Sequence, residues 1–249
     1  MAGKAIQFYK DKVAINVLAK DIENAKEIVE AIDGHAAIGV LSKQFNTVEE
    51  GVVEVQKWLK EIPTVSVGLG AGDPTQWEKA AKIAAATDPG HVNEVFTGAP
   101  VAAGMLMANG AKNTMINSLM SPTGIVGKVK ISTGHLSRNG KDAIVDVETA
   151  VLMLKDMSVH SVKFFPMGGL KTINELKAVA EACAKHNLPL LEPTGGITVE
   201  NFKEILKVCL DAGVNKVMPH VYNSIVDEAT GKTKVEDIKR LYDIIKELV

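Results

Sequence analysis

The strongest constraint on the fold is an alternation of short apolar runs with longer segments of helical period. Eight runs rich in β-branched residues predict strands, at residues 13–18, 36–41, 64–69, 91–96, 113–119, 160–165, 188–191 and 215–218. The segments between them place apolar residues three and four positions apart, as in 22–32, 48–59 and 235–248, which predicts helices with one apolar stripe. Strands that alternate with helices indicate an α/β fold with a parallel sheet.

Four helical segments begin with the same pattern, Thr-x-x-Glu. In this pattern the threonine hydroxyl caps the helix, and the glutamate returns to the N–H of the cap residue. The four pairs are Thr47 and Glu50, Thr75 and Glu78, Thr172 and Glu175, and Thr233 and Glu236. Because each pair follows a predicted strand, we expect repeated strand–loop–helix units.

The number of these units decides between two architectures. Eight units in a chain of 249 residues match the (β/α)₈ TIM barrel, which takes about 250 residues. The alternative is an open, doubly wound sheet. No Gly-x-Gly-x-x-Gly opens the first helix, however, and the glycines at positions 68, 70 and 72 have a different spacing. We therefore predict a single barrel domain over residues 1–249.

Residues 120–146, called the insertion below, break this rhythm. A Ser-Pro-Thr-Gly sequence is followed by the alternating segment 128–132 and by Asn139-Gly140, a pair that favours a tight hairpin turn. We predict a β-hairpin inserted after the fifth strand, on the face where barrel loops build active sites. Its role stays open between a lid, a subunit contact and plain packing, and we expect a homo-oligomer.

Charge and composition exclude several classes of partner. The chain has 28 Lys plus Arg against 30 Asp plus Glu, and a net charge of −2 lacks the basic excess that nucleic acid binding needs. No apolar run approaches the length of about 18 residues that a membrane span needs, and the N-terminus has no secretory signal. Cys183 and Cys209 fall on apolar helix stripes and predict buried thiols. We expect a cytoplasmic protein that binds neither nucleic acid nor membrane.

Lys163 is the first candidate for chemistry, because it interrupts the apolar run 161–166 in the sixth predicted strand. Burial disfavours the ammonium form and lowers the pKa of a lysine. A neutral amine can attack a ketone and form a Schiff base. The alternative is a lysine whose head reaches solvent at the strand end.

A double glycine follows the next strand. Gly195 and Gly196 let backbone N–H groups approach an anion at a helix start, which Thr198 is placed to cap. Barrels often hold phosphate beyond their seventh and eighth strands. We therefore predict a phosphate site here, with a plain glycine-rich turn as the alternative.

Three segments together resemble the 2-keto-3-deoxy-6-phosphogluconate / 4-hydroxy-2-oxoglutarate aldolases: Lys-Phe-Phe-Pro at 163–166, Pro-Thr-Gly-Gly-Ile at 193–197 and Gly-Ala-Gly at 70–72. The resemblance implies a class I aldolase that cleaves a 4-hydroxy-2-oxo acid, phosphorylated or not, to pyruvate and an aldehyde. By the same resemblance Lys163 is the Schiff-base lysine, Thr194 a substrate carboxylate ligand, and Gly195 and Gly196 phosphate contacts. Gly70 and Asp73, in and after this glycine segment, are expected to bind substrate or phosphate. The covalent imine withdraws electrons, so neither a cofactor nor a metal is expected.

The chain also departs from that family, which predicts a divergent branch. Strand two lacks the general-base glutamate of the family, and Asp73 stands where the family has threonine. Glu192 is our first candidate for the missing base, because strand side chains alternate and Glu192 faces the same side as Thr194, beside Lys163. The alternative is that Glu192 only pairs with the lysine. Glu94 and Asp73 are weaker candidates.

Four further residues are candidates of lower rank. Arg138 and His135 of the insertion are candidates to reach over the barrel mouth and bind an anionic group, with solvation as the alternative. His220, at the end of the last strand, is a candidate substrate ligand or a structural histidine, and the histidines show no metal-binding spacing. Lys130 lies in a segment similar to that of the Schiff-base lysine of deoxyribose-phosphate aldolase, but it alternates with Lys128, which indicates a solvated face.

Two other functions remain open at this point. One is a metal-dependent aldolase or sugar-phosphate isomerase on the same barrel, and the other is a non-catalytic barrel that binds a sugar phosphate. Fold alone does not separate them, since barrels host many chemistries.

Overall fold

The computed structural model of the protein describes residues 2–249. Within that range, nine strands form: β1 Ile15–Leu18, β2 Ala36–Leu41, β3 Val65–Gly68, β4 Gly90–Val95, β5 Met115–Ser121, β6 Lys128–Ile131, β7 Ile144–Asp146, β8 Ser161–Phe164 and β9 Leu190–Pro193. Eight α-helices form in the same range: α1 Ile22–Ala31, α2 Val48–Trp58, α3 Trp77–Thr87, α4 Ala99–Ala108, α5 Val147–Asp156, α6 Ile173–Lys185, α7 Val199–Asp211 and α8 Val235–Leu248. The predicted alternation of strands and helices is confirmed.

The parallel strands follow chain order. Strands β1 to β5 are hydrogen-bonded in sequence, β8 adds to β5, and β9 adds to β8. Cross-strand partners of a parallel sheet face the same side, so the register of Leu119, Lys163 and Glu192 places these three side chains in one layer. Their neighbours along each strand, such as Phe164, face the helices and are fully buried.

The segment 215–221 bridges the two ends of this sheet. Val217 forms parallel bridges with Val13 and with Leu191, and His220 forms them with Asn16 and with Thr194. The predicted strand at 215–218 is therefore replaced by isolated bridges. Pro219 has no N–H to donate, so a regular ladder is not continued. The segment nevertheless joins β9 to β1, as a barrel requires.

The insertion forms the predicted β-hairpin. Strand β6 pairs antiparallel with the end of β5 and with β7. The tight turn predicted at Asn139-Gly140 is wrong, because the two strands are joined by the long connection 132–143. Asn139 ends a 3₁₀ turn there, and Gly140 has a φ of −86°, which is not the positive φ of a type I′ turn.

The helix caps show where the Thr-x-x-Glu pattern gives way to other hydrogen bonds. Thr47 caps α2 as predicted, because its hydroxyl accepts the N–H of Glu50 at 3.2 Å. The other three predicted caps are wrong: the Thr75 hydroxyl donates to Asp73, the Thr172 hydroxyl to the Met167 carbonyl and the Thr233 hydroxyl to the Leu18 carbonyl. Thr198 begins α7 in a capping box with Asn201.

The core lies between the sheet and the surrounding helices. Each fully buried aliphatic or aromatic side chain contributes about 1.5–3 kcal/mol relative to an exposed one. Cys183 and Cys209 belong to this core, and burial raises the pKa of the Cys183 thiol to about 12. None of the helices in residues 2–249 has the length and apolar character needed to cross a membrane.

Candidate active site

A cavity of about 570 Å³ opens at the carboxyl ends of the parallel strands. This is the end at which TIM barrels carry their active sites. Residues of β1 to β5 and of β8, and of the segments that follow β2, β3, β8 and β9, line it. The lining includes Lys43, Gly70, Asn93, Lys163, Phe165, Thr194, Gly195, Gly196, His220, Tyr222 and Ser224.

Lys163 projects from β8 into this cavity. Its Nζ donates a hydrogen bond to Asn93 Oδ1 at 2.8 Å, and it lies 6.0 Å from the centroid of the Phe165 ring. Burial lowers the pKa of Lys163 to about 8, although the charge of Glu192 opposes that shift. A pKa of about 8 leaves about a tenth of the amine neutral at pH 7, far more than in a solvated lysine, and the neutral amine is the form that nucleophilic attack requires.

Glu192 lies beneath the cavity and is not among its lining residues. It is fully buried and accepts hydrogen bonds from three side chains: His91 Nε2 at 3.1 Å, His220 Nε2 at 2.6 Å and Asn117 Nδ2 at 2.8 Å. Burial opposes ionisation, but His91 and His220 outweigh it and hold the pKa of Glu192 well below its usual range. Glu192 is thus an anion in the barrel interior.

His220 continues this network toward the cavity. Burial, helped by the charge of Lys163, lowers the pKa of His220 to about 3, so its imidazole is neutral. Its Nδ1 lies 2.9 Å from the Tyr222 hydroxyl, which in turn lies 2.9 Å from Asn16 Oδ1. Within residues 2–249, no group of three or more His, Cys, Asp or Glu side chains has an arrangement that could hold a metal ion.

The hydrogen-bond network around Glu192 also extends to Lys163. His91 Nδ1 lies 2.7 Å from the Ser66 hydroxyl, and Asn93 Nδ2 donates to Ser66 Oγ at 3.0 Å. The amide of Asn117 donates both to Glu192 and, at 2.9 Å, to Asn93 Oδ1. Lys163 and Glu192 are therefore connected through hydrogen-bonded side chains of three other strands, β3, β4 and β5.

The glycine loop after β9 borders the cavity beside the loop that follows β8. Gly195 and Gly196 have φ values of +101° and +71°, and a Cβ on Gly196 would lie 2.4 Å from the Gly169 nitrogen. In the part of the chain that the structure describes, no protein group accepts a hydrogen bond from the N–H of Gly195 or Gly196. These N–H groups are available to an anion.

Not every predicted site residue reaches this cavity. Gly70 lines it beneath the aliphatic chain of Lys43. Asp73 and Arg138 lie outside it, with carboxylate and guanidinium 4.0 Å apart and side chains 39% and 52% exposed. The backbone N–H of Thr75, with support from Arg138, holds the pKa of Asp73 below its usual range despite partial burial.

Glu94 and Lys130, the weaker candidates, are also apart from Lys163. Glu94 borders the cavity, but its carboxylate lies against Gly98 and Trp77 on the helix side of the sheet. Neither of its oxygens has a hydrogen-bond partner among the described residues, and burial raises the pKa of Glu94 well above its usual range. Lys130 forms an ion pair with Asp142 at 3.5 Å on the surface of the insertion.

Five residues of the site were not predicted from the sequence: Asn93, Asn117, His91, Tyr222 and Lys43. The sequence contains a signal for three of them. His91 and Asn93 are polar residues at alternate positions of one strand, and Asn117 is a polar residue within the next strand. Two such strands side by side indicate a polar layer inside the barrel.

Comparison with known proteins defines the class to which this fold and site belong. Residues 9–229 match the family model of KDGP aldolase, and the chain belongs to that family. It is therefore an aldolase, a carbon–carbon lyase. The chain is 60% identical over 244 residues to a protein of Salmonella typhimurium (strain 14028s / SGSC 2262) named 2-dehydro-3-deoxy-phosphogluconate aldolase, covering 98% of this chain and 99% of that one.

Solved structures are similar in fold. KGPDC from Streptococcus mutans has a TM-score of 0.56 at 12% identity and covers 95% of this chain and 99% of its own. Thiamine phosphate pyrophosphorylase from Pyrococcus furiosus has a TM-score of 0.56 at 14% identity, covering 96% of this chain and 98% of its own. At such low identity these matches show the barrel fold alone.

Proposed function

We propose that this protein is a class I aldolase that cleaves 2-dehydro-3-deoxy-6-phosphogluconate to pyruvate and glyceraldehyde 3-phosphate, with Lys163 as the nucleophile. One observation carries the proposal: the amine of Lys163 opens into the cavity, and burial lowers its pKa to about 8. The aldolase family and the named relative support the reaction class. They favour neither the metal-dependent nor the non-catalytic alternative.

The proposed chemistry begins when neutral Lys163 attacks the C2 ketone. Loss of water gives a protonated imine, which withdraws the electrons of the C3–C4 bond as a base takes the proton of the C4 hydroxyl. The aldehyde product leaves, and C3 of the remaining enamine is protonated. Hydrolysis of the imine then releases pyruvate and returns the amine.

Glu192 fits this chemistry as a buried negative charge. Its position in the same layer as Lys163 favours a cationic group on the lysine nitrogen, such as the protonated imine. The predicted role in proton transfer stays a proposal, and it must act through His220, because His220 lines the cavity and Glu192 does not.

Anion binding is assigned to the backbone of the glycine loop after β9. The free N–H groups of Gly195 and Gly196 suit a phosphate, and Lys43 supplies a cation at the mouth. Thr194 stays the proposed ligand of the substrate carboxylate, and Gly70 remains a proposed substrate or phosphate contact. Arg138, across from Asp73, reaches the substrate only if the insertion moves over the mouth.

Several expectations stay predictions. A non-phosphorylated substrate, 4-hydroxy-2-oxoglutarate, remains the second candidate, and the departures on strand two still predict a divergent branch of the aldolases. A homo-oligomer is expected, and exposed apolar side chains are present on α4 and in the insertion at Met107, Ile125 and Leu136. The cytoplasmic location also remains a prediction.

The proposed function is tested by reduction with borohydride in the presence of pyruvate, followed by peptide mapping. We expect one pyruvyl adduct on the peptide that contains Lys163. Lys163→Met abolishes the adduct, whereas Lys130→Met, which removes a lysine from the insertion, retains it. An adduct on another lysine would assign the nucleophile elsewhere, and no adduct in the wild-type protein would refute the class I mechanism.

A further inference from the structure

The direction of the hydrogen bonds around Glu192 follows from its charge. An ionised carboxylate only accepts hydrogen bonds, so His220 Nε2, His91 Nε2 and Asn117 Nδ2 must all donate to it. A neutral imidazole with a proton on Nε2 has an acceptor at Nδ1. His220 therefore presents an acceptor to the Tyr222 hydroxyl at 2.9 Å.

Tyr222 has one hydroxyl proton, and this proton must go to His220. Its oxygen is then an acceptor for the second neighbour, Asn16. Asn16 Nδ2 is buried without a hydrogen-bond partner among residues 2–249, while its Oδ1 is placed 2.9 Å from the Tyr222 oxygen. An Asn16 amide turned with Nδ2 toward Tyr222 gives this buried nitrogen an acceptor. Each group then donates to the next, from Asn16 through Tyr222 and His220 to Glu192, which only accepts.

Two members of this chain are exposed to the substrate cavity. Tyr222 and His220 line the cavity into which Lys163 projects, whereas Glu192 lies beneath it. The segment 215–221 carries His220 to the end of the barrel through its bridges to Asn16 and Thr194. Tyr222 thus brings a buried chain of hydrogen bonds to the wall of the cavity.

We propose that Tyr222 is the catalytic group that takes the proton of the substrate C4 hydroxyl, with His220 and Glu192 as positioning residues behind it. This inference rests on the proposed function of Lys163. Burial and the charge of Glu192 raise the pKa of Tyr222 above its usual range. Tyr222 is therefore protonated before the reaction. It accepts one proton as it passes its own to His220, and it does not act as a phenolate base.

The proton transfers balance. The C4 hydroxyl gives its proton to the Tyr222 oxygen while Tyr222 gives its own to His220 Nδ1, and the resulting imidazolium is stabilised by the Glu192 carboxylate. The C3–C4 bond breaks, its electron pair moves to the imine, and C4 becomes the aldehyde carbon. The proton then returns from His220 through Tyr222 to C3 of the enamine. No external acid or base is consumed.

The test separates carbon–carbon cleavage from imine formation. In Tyr222→Phe we expect kcat for cleavage of 2-dehydro-3-deoxy-6-phosphogluconate to fall about 10²–10⁴-fold, which is the usual contribution of a general base. We expect KM to change by less than about threefold and borohydride trapping with pyruvate to persist, because both depend on groups other than the phenol. Tyr9→Phe is the matched control, since Tyr9 packs against His35 and Tyr242 away from the cavity.

A second variant tests the chain behind Tyr222. His220→Asn should lower kcat to a similar extent, and the double variant with Tyr222→Phe should show little further loss, because both remove one relay. The proposed relay would be overturned if Tyr222→Phe kept the wild-type kcat. It would also be overturned if the losses of kcat in the two single variants were fully additive in the double variant. Loss of trapping in Tyr222→Phe would instead assign the phenol to imine formation. Failure of trapping in the wild-type protein would refute the Lys163 mechanism, and the relay with it.

Discussion

Lys163 and Lys130 lie on strands that both pair with β5, yet their surroundings differ. Lys163 is in register with Leu119, faces the interior and donates to Asn93. Lys130 is in register with Ser121, where β6 extends the sheet into the insertion, and its side chain is 40% exposed beside Asp142.

This comparison shows that the motif around a lysine does not set its chemistry. Both segments resemble those that carry Schiff-base lysines in aldolases. Burial lowers the pKa of Lys163 to about 8, because the ammonium form loses its hydration. An ammonium group at the surface stays hydrated and pays no such desolvation cost. The barrel interior and the insertion surface should therefore respond differently to the same kind of substitution.

The largest difference is expected in turnover. Lys163→Met should lower kcat/KM for aldol cleavage by about 10⁴-fold or more, because no other group replaces the covalent nucleophile. Lys130→Met should leave kcat/KM within about twofold, as expected for a surface side chain. Steady-state assay of pyruvate release measures both, and a large loss in Lys130→Met would remove the contrast.

Glycines of the two regions should differ in their effect on stability. Gly196→Ala should lower the free energy of unfolding by about 2–4 kcal/mol, because a Cβ at positive φ would also meet the backbone of Gly168 and Gly169. Gly127→Ala, at a φ of +85° with open space around it, should cost only about 1 kcal/mol. Urea unfolding measures both, and equal losses would contradict the predicted close approach.

The pH dependence of imine formation should report the interior environment. The neutral fraction of Lys163 grows as pH rises, so the rate of imine formation with pyruvate should increase about tenfold per unit below about pH 8 and level off above it. Glu192→Gln should move the midpoint to lower pH, because the Glu192 charge raises the pKa of Lys163. A rate that continues to rise toward about pH 10 would indicate a solvated lysine.

The smallest effect is expected at the surface ion pair. Asp142→Asn should change the free energy of unfolding by less than about 0.5 kcal/mol, since exposed ion pairs contribute little. For comparison in the barrel interior, Asn117→Ala should lower the free energy of unfolding by about 1–3 kcal/mol, because Glu192 loses a buried hydrogen-bond donor. Chemical denaturation compares the two, and a larger effect at Asp142 would reverse the comparison.

The local parts of the site could be predicted from the sequence. Lys163 is conspicuous as a charge within an apolar strand, and the double glycine follows the next strand. The partners of Glu192 could not be predicted, because His91 lies 101 residues away and its direction depends on which face of β4 is interior. Asp73 and Arg138 are predicted by the sequence to bind substrate, but whether such loop side chains reach a cavity depends on the path of the loop.

The sequence by itself determined the alternation of strands and helices, the insertion and the lysine, because these follow from hydrophobic period and from single residues that violate it. Only the tertiary structure decided that Asn93, Asn117, Glu192 and His220 meet in one buried network. A barrel interior is assembled from strands distant in the chain, and small differences in register and closure select which polar groups pair. For the same reason the Thr233 hydroxyl donates to the Leu18 carbonyl, 215 residues away in the chain, and does not cap the helix that its local pattern predicts.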